Sequence, residues 1–151
     1  MSGTARASAA SGFTATALVT PDRDWLRKWN RGSSGVALNS TGALSAGQHA
    51  TLILLFQNAQ VRAGRVSVLC QVTIRHTPAN SGTNQSVPPT PCYNGPPPPR
   101  GNLALAGLQV ALNTAPGGRP GIIRFDIVMT DANSGSRVPL TLQLRDNAGR
   151  R

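Results

Sequence analysis

Between Arg65 and Arg75 the sequence RVSVLCQVTIR carries an apolar residue at every second position. A repeat of two places Val66, Val68, Cys70, Val72 and Ile74 on one side of an extended chain, with Ser67, Gln71, Thr73 and Arg75 on the other. No helix can bury that set on one stripe, so the segment predicts a central strand with one face on a core. The same period recurs at Ile122–Thr130, with Ile123, Phe125, Ile127 and Met129 inward. It recurs again at Val138–Arg145, with Val138, Leu140, Leu142 and Leu144 inward. Pro139 then points outward and has no N–H to donate, which puts that strand at a sheet edge there.

Other segments fill in the pattern. Thr14–Thr20 (TATALVT) reads as a first strand, and Ala50–Gln57 (ATLILLFQ) is apolar enough to be covered on both faces. In Leu103–Leu112 the inward set slips from Leu103/Leu105 to Leu108/Val110/Leu112, as a β-bulge at Gly107 would cause. Asp131–Ser136 is turn-forming, and so is 114–121. One short helix is expected near residues 22–30. Asp22 and Asp24 lie at its start and Arg27 and Lys28 at its end, as the macrodipole favours. The Gly- and Ser-rich run after Arg31 ends it. Trp25 and Trp29 share one helix face and are expected in the core, because other large side chains are few: three Phe and one Tyr.

Six to eight such strands in 151 residues predict one all-β domain, a two-sheet antiparallel sandwich of jelly-roll or immunoglobulin-like kind. The expected division is a flexible arm at 1–13, the sandwich at 14–146 and a basic tail at 147–151. Eight of twelve prolines fall between His76 and Arg100, so 76–101 is expected to be a long projecting loop. Cys70 faces a core and Cys92 lies in that loop, so the two are expected to be free thiols rather than a disulfide.

Nothing in the sequence assembles a reaction centre. His49 and His76 lack metal-ligand companions, and Gly117-Gly118 lacks the ending of a P-loop. Cys70, His76 and Asp126 would make a triad only if Cys70 turned outward. Arg124 and Asp126 lie two apart on one strand face and predict a surface ion pair. No enzyme activity, cofactor or metal is therefore expected. Asn39-Ser-Thr and Asn84-Gln-Ser match glycosylation acceptors at the frequency chance allows in so Ser/Thr-rich a chain.

Charge is the remaining signal. No acidic residue occurs from Trp25 to Phe125, glutamate is absent throughout, and the net charge is +10. Fourteen of the fifteen basic residues are Arg, whose planar fork grips phosphate. Such an imbalance points to a polyanionic partner held through its backbone, with little sequence readout. The candidate nucleic-acid-binding residues are Arg23, Arg27, Lys28 and Arg31 around the helix, with Arg62, Arg65 and Arg75 about the 65–75 strand. Trp25 or Trp29 is the alternative stacking platform.

A basic sandwich without catalytic groups fits a viral structural protein best: a small icosahedral coat protein that self-assembles and neutralises packaged nucleic acid. It would reside in the virion, and in host cytoplasm before assembly. The alternatives are a decoration protein binding a larger capsid, a non-virion nucleic-acid-binding accessory protein, and an extracellular adhesion or pilus-type sandwich. No run of eighteen apolar residues is present and Met1–Gly12 lacks a leader pattern, so neither a membrane partner nor export is expected.

Overall fold

The computed structural model describes residues 3–31, 40–45, 47–77, 85–98, 103–113 and 120–147. In chain order the elements are β1 (Thr4–Ser8), β2 (Thr14–Thr20), α1 (Trp25–Arg31), β3 (Ala43–Ser45) and β4 (His49–Gln57). There follow β5 (Val66–Thr77), β6 (Gln85–Gly95), β7 (Ala104–Asn113), β8 (Gly121–Asp131) and β9 (Ser136–Asn147). They form a four-stranded sheet in the order β1-β2-β4-β7 and a five-stranded sheet in the order β3-β9-β8-β5-β6. Every pairing is antiparallel except the short β3–β9 pair, which is parallel. With β2, β4, β5, β6, β7, β8 and β9 taken as strands A, B, C, C′, E, F and G, the sheets are ABE and GFCC′. That is immunoglobulin-type connectivity, and it settles the choice between the two sandwich kinds. No helix among the described residues is long and apolar enough to cross a membrane.

The period-two sets point as the sequence dictates. Val66, Val68, Cys70, Val72 and Ile74 meet Ile123, Phe125, Ile127 and Met129 and the alternating leucines of β9 in one buried cluster. From the other sheet come Phe13, Ala15, Ala17, Val19, Leu52, Leu54 and Phe56. Both faces of β4 are covered, with Ile53 fully buried on the side away from this cluster. Pro139 is exposed and lies where β9 pairs only with β8, an edge as expected.

Several expectations are corrected. The 1–13 arm contains β1, whose five residues pair with β2, and Phe13 is wholly buried. Alternating Ala5 and Ala7 give β1 a small apolar face that the composition disguised. The 76–101 loop contains β6. Pro88, Pro89 and Pro91 cannot donate to a ladder, yet β6 is an edge strand with only β5 beside it, so a one-sided ladder with two register shifts suffices. Cys70 and Cys92 are disulfide-bonded, not free. Cys92 is the extra residue between Leu69↔Pro91 and Val68↔Tyr93, and that bulge turns it inward to Cys70.

Three more corrections concern single side chains. Trp25 and Trp29 are half-buried on α1 rather than in the core, whose largest members are Phe13, Phe56 and Phe125. The ring of Phe56 bridges two neighbours, 6.4 Å from Phe13 and 5.0 Å edge-on to Tyr93. In β7 Val110 and Leu112 face the core as expected, but the inward set before Gly107 is Ala104/Ala106 rather than Leu103/Leu105, and Leu103 is exposed; the pairing with β4 does slip between Leu105 and Gln109. Asp146, at the border of the expected tail, is instead a buried residue of β9. The turn at 114–119 and tail residues 148–151 lie outside the described residues, as do Arg100 and Arg119 and the side chain of Arg31.

Two turns fix the end of the sandwich where β4 passes to β5. Arg62 and Arg65 exchange backbone bonds of 2.9 and 3.0 Å around Ala63 (φ 51°) and Gly64 (φ 74°), the positive-φ pair of a type I′ turn. Asp131 anchors it from below. Its carboxylate, 1% exposed, accepts from Gln60 N at 2.8 Å, Asn133 N at 3.2 Å and Ser134 Oγ at 2.8 Å.

Candidate functional site

The outer face of the five-stranded sheet gathers side chains from strands far apart in sequence. Its outward positions follow from the ones that face the core. On β5 they include Gln71, Thr73 and Arg75; on β8, Arg124, Asp126 and Val128; on β9, Arg137, Thr141 and Arg145. The register sets Arg75 directly opposite Arg124, with Gln143 on Arg124's other side. One step along, Thr73, Asp126 and Thr141 form the next row, and Ile122 and Arg145 lie on the far side of the arginine row. Arg137 faces Thr130 near the opposite end.

Two like charges opposed across a ladder destabilise it. Arg124 escapes by turning along its own strand, where Nε lies 3.1 Å from Asp126 Oδ2 and Nη2 lies 3.2 Å from Oδ1. This is the ion pair that their spacing predicts. Thr141 Oγ1 also donates to Asp126 at 3.2 Å, so the face's one acid is fully engaged. Arg75, Arg137 and Arg145 are exposed and make no ion pair among the described residues. No aromatic side chain shares this face on β5, β8 or β9. An open recess of about 330 Å³ lies at its end, lined by Pro120, Gly121, Ile122, Arg145, Asp146 and Asn147.

The other expected binding residues lie elsewhere. Around α1, Arg27 pairs with Asp24 at 3.2 Å, and Lys28 pairs with Asp22 at 2.9 Å and Asp24 at 3.8 Å. The Arg27 hydrogen bond, aided by Lys28, holds the Asp24 carboxyl below its ordinary range. The Asp22 hydrogen bond holds the Lys28 ammonium above its own. Arg27 and Lys28 are thus answered locally, while Arg23 is exposed outside these pairs. Arg62 and Arg65 occupy the type I′ turn, where Arg65 Nη2 donates to Asn94 Oδ1 at 3.2 Å. Of the seven residues singled out from the sequence, Arg75 alone lies in the arginine row. Arg124 entered that reading only as an ion-pair partner, and Arg137 and Arg145 were missed. Their signal was present: both occupy the outward parity of β9, set by its four buried aliphatics.

Cys70, His76 and Asp126, weighed above as a triad, have separate surroundings. Cys70 is in the disulfide, Asp126 faces outward, and His76 is a buried member of β5. His76 Nε2 lies 2.8 Å from Asp146 Oδ2, with both side chains almost wholly buried between the sheets. No group of three metal-ligating residues occurs among the described residues.

No protein-family model and no curated protein matches this chain. Among solved structures, it has a likeness to Pseudomonas fluorescens alkylpurine DNA glycosylase AlkC bound to DNA containing an abasic site analog. The TM-score is 0.40 at 10% identity, over 71% of this chain and 28% of that one. A likeness of that size carries no argument about function.

Proposed function

We propose that the chain is a non-catalytic structural module whose folded body holds nucleic acid through its phosphates. The observation that carries this reading is the arginine-bearing sheet face, where Arg75 opposes Arg124 and a single acid serves the whole surface. A like-charge pair in a ladder is a local conflict, and such conflicts are kept where they serve a partner. Phosphate would relieve it from outside, because the guanidinium fork of Arg75, exposed and outside the ion pairs of the described residues, can take one phosphate in a bidentate bond. The virion role expected from the sequence, coat or decoration, is one setting for such a module, since subunits this basic repel each other until counter-charge is bound.

The Cys70–Cys92 bond favours a second reading. Disulfides persist in oxidising compartments, and a disulfide-bearing immunoglobulin-type sandwich suits an extracellular adhesion role. Electron microscopy and sedimentation of the purified protein, with and without nucleic acid at low and moderate salt, separate the two. Shells or nucleic-acid-dependent particles that fall apart as salt rises support the first reading. A monomer indifferent to nucleic acid at low salt overturns it and leaves the second.

A further inference from the structure

We infer that the contact surface is the outer face of the five-stranded sheet, and that its partner is the backbone of double-stranded nucleic acid, bound without base readout. This rests on the nucleic-acid reading above and adds the place and the form of the ligand. Arg75 and Arg124 are cross-strand neighbours, about 5 Å apart at Cα. Arg145 is on the strand beyond, two residues along from Arg124's partner Gln143. Arg137 lies on the same strand as Arg145, about 27 Å away at the rise of an extended chain. The ground between holds Thr73 and Gln71, which offer hydroxyl and amide donors, beside Val128, Pro139 and the Asp126–Thr141 pair.

The form of the ligand follows from what this face offers. Single strands are gripped largely by stacking their bases on aromatic rings, at about 1–3 kcal/mol per base. The outward positions of β5, β8 and β9 carry none. The recess lined by Pro120, Ile122 and Arg145 lies at the end of this face rather than across it. A duplex needs neither ring nor groove. It is stiff, keeps its bases stacked, and presents one charge per about 1.7 Å of axis, so arginines at both ends of the face meet the same rod.

The test compares two triple variants of the full chain, R75Q/R137Q/R145Q on the face and R23Q/R27Q/K28Q at the helix. Circular dichroism and thermal melting first show that each is folded as the parent is. Binding is then followed by fluorescence anisotropy across a salt series, using a mixed-sequence DNA duplex, a single-stranded oligonucleotide of equal length, and a sulfated polysaccharide. The expected result is that the parent binds the duplex at least as tightly as the single strand. The face variant should lose about 2–3 units of the log–log salt slope, at roughly 0.9 per lost phosphate contact. The helix variant should lose less than one. A slope lost only in the helix variant overturns the proposed surface, and tighter binding of the single strand or of the polysaccharide overturns the proposed partner. A parent protein that binds none of the three overturns the underlying nucleic-acid reading itself.

Discussion

Ala63 sits at φ 51° in the turn between Arg62 and Arg65, a conformation that non-glycine residues other than Asn and Asp seldom adopt. Ala63→Asn gives the turn its favoured Asn-Gly pair and should raise stability by about 0.5–1 kcal/mol in urea unfolding. At the other end of the sandwich, His76→Ala removes the 2.8 Å partner of a buried carboxylate. The expected loss is about 1–3 kcal/mol, the range for depriving a buried polar group of a hydrogen-bond partner, read by the same unfolding assay. On the open face, Asp126→Asn leaves the fold intact, because the carboxylate is partly exposed and its pair with Arg124 is a surface one. It frees Arg124 and should steepen the salt dependence of duplex binding by about one unit. Some of this was legible before the structure: the Arg124–Asp126 pair follows from spacing alone. The His76–Asp146 pair was not, because its members lie on strands seventy residues apart with another strand between them.

At the scale of elements, β5, β8 and β9 were readable because a strand buried on one face writes its parity into the sequence. β1 and β6 were not. Alanine is too small to mark the inner face of β1, and the prolines of β6 remove ladder donors without showing that the strand needs a ladder on one side only. The cysteines followed from the same error, since a residue assigned to a loop has no register that could bring it to Cys70. Closing a loop between residues 22 apart restricts the unfolded chain, so reduction of the disulfide should lower stability by about 3 kcal/mol. Unfolding with and without reductant measures this directly, and an unchanged midpoint would show that β6 holds without its cross-link. Gly107 lies where β7 passes β6, and a Cβ there would come 3.0 Å from the carbonyl oxygen of Cys92. Gly107→Ala should therefore cost about 1 kcal/mol through the shift it forces on that edge.

For the whole molecule, the fold class was legible and the site largely was not. Strand count, parity and turn residues define a sandwich, but only the order β3-β9-β8-β5-β6 brings Arg75, Arg124 and Arg145 together. Outward parity could be read strand by strand; which outward rows become neighbours is decided by long-range pairing that no local pattern records. The helix cluster stood out instead because its charges adjoin in sequence, although Asp22 and Asp24 answer two of them. On the proposed reading the sheet face, rather than the helix, is the working surface of the protein. Titration of isotope-labelled protein with a short DNA duplex, followed by NMR, tests this most directly. Shifts concentrated in the arginine side-chain Nε–H signals of Arg75, Arg124, Arg137 and Arg145, and in the amides of Thr73 and Gln143, are the predicted result. Shifts centred on Trp25–Arg31, or none at low salt, would contradict it.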